Sequence, residues 1–118
     1  MSTVYFDIET TGLNAESCRI TCIGTLHSEY GVRVFSHPDE RILLREASDF
    51  VFGCGPVTWV SFNGACFDLP FILKRLEVNG FSKDSEEVEQ WSFPPASHVD
   101  LLPILSQKYE EVMGHKLS

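Results

Sequence analysis

Asp7 and Glu9 stand one residue apart in the stretch Tyr5-Phe6-Asp7-Ile8-Glu9-Thr10-Thr11-Gly12-Leu13. Val4, Phe6 and Ile8 alternate with Tyr5, Asp7 and Glu9, which reads as a β-strand. Alternation sends both carboxylates to one face, ~7 Å apart at a strand rise of roughly 3.3 Å per residue. Like charges on one face destabilise each other, and a divalent cation between them removes that cost. Oxygen-only ligands suit magnesium or manganese. The bland alternative is a surface-facing acidic pair on an edge strand. Asp68 is a third carboxylate, at the end of Asn63-Gly64-Ala65-Cys66-Phe67-Asp68 and just ahead of a helical pattern. An Asp in that place is also a routine helix N-cap. Its setting favours chemistry, because it follows the apolar run Val57 to Phe62, which contains Trp59 and reads as a central strand buried on both faces. That strand is expected parallel to and beside the first. Carboxylates past the C-terminal ends of adjacent parallel strands sit at the crevice where open α/β sheets bind ligands, so three can converge.

Thr-Thr-Gly turns the chain after the first strand. A polar loop follows at 14–17, then a second strand over Arg19 to Leu26, a turn over His27 to Gly31 and a third strand over Val32 to Phe35. These three strands make an antiparallel meander. His27 and His37 lie beside turns and read as solvated. Pro38-Asp39-Glu40 opens a helix with Asp39 as its cap; Ile42, Leu43, Ala47, Phe50 and Val51 form its inner positions, and Gly53-Cys54-Gly55-Pro56 ends it. The next helix spans Leu69 to Val78, with Leu69, Ile72, Leu73 and Leu76 inward, Pro70 in the first turn and Asn79-Gly80 closing it. From Phe81 to Ser97 the chain is a polar loop with one helical turn, and Glu86-Glu87-Val88-Glu89 is a solvated face. Ser97-His98-Val99 reads as a short fifth strand, and Asp100 as the cap of a helix from Leu101 to about Met113. The order βββ-α-β-α-β-α predicts the α/β class: a mixed five-stranded sheet with flanking helices.

A chain of 118 residues, 43% apolar and 12% aromatic, predicts one globular domain over 1–118. A net charge of -8 argues against generic nucleic-acid affinity through a basic surface, although bound metal would neutralise part of it. Charge alone favours a small-substrate enzyme or a protein-binding module. No apolar run is long enough to span a bilayer and no signal-peptide pattern opens the chain, so a soluble, cytoplasmic protein with no membrane partner is expected. Cys18, Cys22, Cys54 and Cys66 form no C-x-x-C pair, and buried, reduced thiols are expected.

Phe6-Asp7-Ile8-Glu9-Thr10-Thr11-Gly12-Leu13 resembles the first motif (DxE) of the DEDD, or DnaQ-like, 3′–5′ exonucleases. The stretch from Ser61-Phe62-Asn63-Gly64 through Phe67-Asp68-Leu69-Pro70 is similar to their second motif. His98-Val99-Asp100-Leu101 resembles the H-x-D-L signature of the branch related to the exonuclease domain of family B DNA polymerases. The resemblance spans almost the whole chain. It implies a ribonuclease H-like fold and hydrolysis of phosphodiester bonds at single-stranded DNA or RNA 3′ ends, with two Mg²⁺ or Mn²⁺ ions. In that picture Asp7 bridges both ions, Glu9 binds one, and Asp68 holds the other mainly from outside its inner coordination sphere. Backbone around Thr10 and Thr11, the side chain of Leu13 as an apolar wedge, and Asn63 and Phe67 contact the terminal nucleotide, a phenyl face being suited to stacking on a base. Core packing is the other reading of Leu13 and Phe67. Asp100 reads as structural. Lys74, Arg75 and Lys83 are the small basic cluster near this site; they either touch phosphates or are solvated helix charges.

The family's fourth Asp, preceded by a Tyr or His four or five positions earlier, has no match, since no Asp follows Asp100. A C-terminal helix carrying that motif is therefore expected to be absent. The chain stops after Gly114-His115-Lys116-Leu117-Ser118 without capping residues, and C-terminal truncation is the expectation. The alternative is a short, catalytically impaired exonuclease-fold protein that binds nucleic acid or a protein partner. A polymerase or helicase partner is left open.

Overall fold

The computed structural model describes residues 2–93 and 97–114. Strands β1 (Thr3–Thr10), β2 (Ile20–His27) and β3 (Gly31–Phe35) form the antiparallel meander, followed by helix α1 (Glu40–Cys54). Then come β4 (Thr58–Ser61), α2 (Asp68–Val78), α3 (Glu86–Gln90), β5 (His98–Asp100) and α4 (Leu101–Met113). The sheet has five strands in the order β3-β2-β1-β4-β5, with β4 parallel to both β1 and β5. The predicted class, strand count and central placement of β1 beside β4 all hold.

Alternation along β1 works as the sequence implies. Val4, Phe6 and Ile8 enter the core, while Tyr5, Asp7 and Glu9 are exposed on the other face. The core also takes Ile20, Ile23, Leu43, Leu44, Ala47, Trp59, Phe71, Ile72, Leu76 and Trp91. Ile42 faces outward instead, and Leu44 and Ser48 take inner positions of α1. A polar chain links this helix to α3: the buried Trp91 indole donates to Ser48 Oγ at 2.8 Å, and Ser48 Oγ donates to the Leu44 carbonyl at 2.6 Å.

Four expectations are corrected. His27 is buried, not solvated: its Nδ1 accepts the N–H groups of Glu29 and Tyr30, and its ring lies 4.5 Å from the Tyr30 ring. Arg75 is buried and unavailable to phosphate; it donates to Glu40, with Nη2 2.6 Å from Oε1, and to the carbonyls of Ala15 and Glu16. Glu40 also accepts from Asn79 and from the N–H of Ile20, so one buried pair ties α1, α2, β2 and the loop after β1 together. Burial pushes the Glu40 carboxyl up, but these donors outweigh it and hold it below the ordinary range. Cys66 is exposed and the other thiols half-buried, all four of them free. Lastly, α4 is capped, because Gly114 takes a left-handed conformation and donates its N–H to the Glu110 carbonyl. Pro94, Pro95 and the closing 115–118 stretch lie outside the described residues. No helix among the described residues is long and apolar enough to cross a membrane.

Candidate active site at the carboxyl end of the central strands

β1 pairs with β4 only over Thr3, Val4 and Tyr5, so its second half runs past the end of β4. Backbone donors there need other acceptors. The Ile8 N–H, between Asp7 and Glu9, lies near the Asp68 carboxyl and favours its charged form, as does the N–H of Asp68 itself. It does not cap α2, whose N-cap residue is Phe67 and which has no side-chain cap. The alternative reading of Asp68 as a helix cap therefore fails. The side chain turns back onto β1.

Asp68 is 4% exposed, and its Oδ2 has no hydrogen-bond partner. Burial, the Asp7 charge and, more weakly, Asp100 raise its pKa to about 6. Asp7 and Glu9 share the outer face of β1, with Cys22 opposite Glu9 on β2. Burial, then Glu9 and Asp7, push the Cys22 thiol up, which places all three groups in one field. A bulge sits at this point: Glu9 is opposite Cys22 but Thr10 is opposite Ile20, and Thr21 Oγ1 donates to the Glu9 carbonyl at 3.2 Å. Bulges of this kind re-aim side chains at the end of a ladder.

The structure thus brings Asp68 within reach of the Asp7 charge, while Glu9 shares the exposed face of β1 with Asp7. A buried carboxylate oxygen without a donor, beside a second carboxylate, is a group that a hard cation satisfies and a neutral environment does not. All the oxygens belong to carboxylates, which fits magnesium or manganese. Among the described residues, no group of three or more His, Cys, Asp or Glu side chains is placed so as to hold a metal ion by itself.

The predicted nucleotide contacts divide. Thr10 Oγ1 donates to the Gly12 carbonyl at 2.7 Å, and Thr11 exchanges bonds with Arg19, so both hydroxyls shape the turn. At Gly12 a Cβ would lie 2.6 Å from Cys18 Sγ, which is why a glycine stands there. Leu13 is 86% exposed and stands free of the core, as a wedge requires. Phe67 is half-buried against the core, its ring 5.3 Å from that of Phe71, so its packing role holds. Asn63 begins the turn into α2 with φ +61°. Lys74 pairs with Glu16 and Glu77 at the surface.

Sequence reasoning underrated Ser61, His98 and Asp100. Asp100 does cap α4, accepting from Leu102 at 3.0 Å, but it also accepts the N–H of Asn63 at 2.7 Å and of Ala65 at 3.2 Å. Ser61 Oγ accepts the Gly64 N–H at 3.1 Å and lies 2.7 Å from His98 Nε2. The i, i+2 spacing of His98 and Asp100 on a strand, pointing both to one face, was the available signal.

This sheet order, with acidic residues at the carboxyl end of β1 and the start of α2, defines a nuclease-fold protein. A family model of the RNase H superfamily matches residues 4–118, and the chain belongs to that superfamily. It is similar in structure to the family B DNA polymerase from the hyperthermophilic archaeon Pyrobaculum calidifontis, with a TM-score of 0.74 and 24% sequence identity over 89% of this chain. The matched part is 16% of the polymerase chain, and likeness at this identity shows the fold.

Proposed function

We propose that this domain is a 3′–5′ exonuclease of the DEDD (DnaQ-like) type, hydrolysing phosphodiester bonds at single-stranded nucleic-acid ends. The observation that carries the reading is Asp68: a buried carboxylate, turned away from its own helix and onto β1 between Asp7 and Glu9, with one oxygen left without a donor. Two divalent ions, Mg²⁺ or Mn²⁺, when bound, lower the pKa of a water and offset the charge developing on the leaving 3′ oxygen. Asp7, Glu9 and Asp68 would hold them. The exposed Leu13 contacts the terminal base, while the backbone of Thr10 and Thr11 and the turn at Asn63 border the strand end.

The test is incubation with 3′-labelled single-stranded DNA and RNA in Mn²⁺ or Mg²⁺, beside an Asp7→Ala control. Mononucleotide release that falls ~100-fold or more in the control is the expected result. Release unchanged in the control sinks the role of Asp7. A second reading, a non-catalytic member that binds nucleic acid or a protein partner, is favoured because no group of three or more His, Cys, Asp or Glu among the described residues is placed to hold a metal ion. Strand binding without any metal-dependent release supports that reading instead.

A further inference from the structure

The H-x-D-L stretch is not explained by metal binding or by a helix cap. Six residues drawn from it and from the second motif form one network. Asp100 accepts three backbone N–H groups: Leu102 in α4, and Asn63 and Ala65 in the turn after β4. His98, two residues earlier on β5, meets Ser61 Oγ, which also accepts the Gly64 N–H. Gly64 is packed so closely that a Cβ there would lie 2.3 Å from Ser61 Oγ. Asn63, in a left-handed conformation, offers its carbonyl to the N–H groups of Cys66 and Phe67, which begin the turn leading to Asp68. Leu69 N–H then donates to the Gly64 carbonyl at 2.8 Å.

We propose that Asp100 and His98 are positioning residues, which clamp the Ser61–Ala65 turn from the neighbouring strand and so fix where Asp68 and Phe67 stand at the active site. The proposal rests on the exonuclease reading for its functional meaning. A left-handed Asn at the start of a tight turn is held only where its surroundings over-determine it. Here a carboxylate on β5 supplies two of the constraints and a serine–histidine pair the third. One carboxylate reaching both α4 and the turn makes the placement of Asp68 depend on the β4–β5 pairing.

Asp100→Asn separates the clamp from the cap. Asn is as good an N-cap as Asp, and its remaining oxygen can still serve Leu102 and Asn63. Its NH₂ then faces the Ala65 N–H, so two donors oppose each other and the Ala65 bond is lost. Ser61→Ala removes the other half of the clamp without touching α4. Amide hydrogen exchange, read beside Mn²⁺ affinity, tests both variants of the whole chain. The expected result is ~10-fold or faster exchange at Gly64 to Phe67, with α1 and the first turn of α4 unchanged, and roughly 10-fold weaker Mn²⁺ binding. Exchange at Gly64 to Phe67 equal to wild type in either variant overturns the proposal. Loosened exchange with unaltered Mn²⁺ affinity overturns the link to Asp68. A wild-type chain that binds no Mn²⁺ contradicts the exonuclease reading but leaves the exchange arm to judge the clamp.

Discussion

Asp68 concentrates the chemistry into one side chain. Its pKa stands at about 6 rather than the ordinary 3.8, so its charged form is penalised in the folded state. For a carboxyl raised in this way the penalty is absent below the ordinary value and grows as pH rises through about 6. A shift of this size corresponds to about 2 kcal/mol of stability lost between pH 4 and pH 8 in the absence of divalent ions. Asp68→Asn removes the penalty. Urea unfolding without divalent ions is expected to show the variant more stable than wild type at pH 8 and nearly equal at pH 4. Adding Mn²⁺ should then stabilise wild type more than the variant. Equal urea midpoints at pH 8 would contradict the burial account of this residue.

At the level of elements, helix and strand periods were legible to within a residue or two. β1, α1, α2 and α4 stand nearly where the apolar spacing places them, and the partnership of β4 with β1 followed from an unbroken apolar run. What stayed hidden was polar pairing between distant segments, since it leaves no local period. Glu40 and Arg75 read as a helix-entry acid and a surface base, yet each is the other's buried partner across 35 positions. His27 read as a turn residue because its two backbone partners exist only once the hairpin closes. Asp100 read as a cap, which it is, while its second task depends on strand pairing. The Glu40–Arg75 pair makes an energetic prediction. Arg75→Met leaves a carboxylate buried with only Asn79 and the Ile20 N–H as donors, and is expected to cost about 3–5 kcal/mol. Fluorescence of the buried Trp91 reports the shifted denaturation midpoint. A change under about 1 kcal/mol would mean that the pair is solvated, as surface ion pairs are.

For the molecule as a whole, Asp7 and Glu9 lie on the half of β1 that runs past the end of β4. The -8 net charge disfavours phosphate overall, so in the proposed function strand binding should follow divalent-ion occupancy rather than a basic surface. In the proposed function, carboxylates from β1 and from the start of α2 would form the point where those ions collect, with the β4–β5 pairing and its turn beside it. The most direct test of this account is a Mn²⁺ titration followed by electron paramagnetic resonance, on wild type and on Asp7→Ala. The account predicts saturable binding by wild type, weakened ~10-fold or more by the substitution. Identical Mn²⁺ binding by the two proteins, or none by wild type, would contradict it.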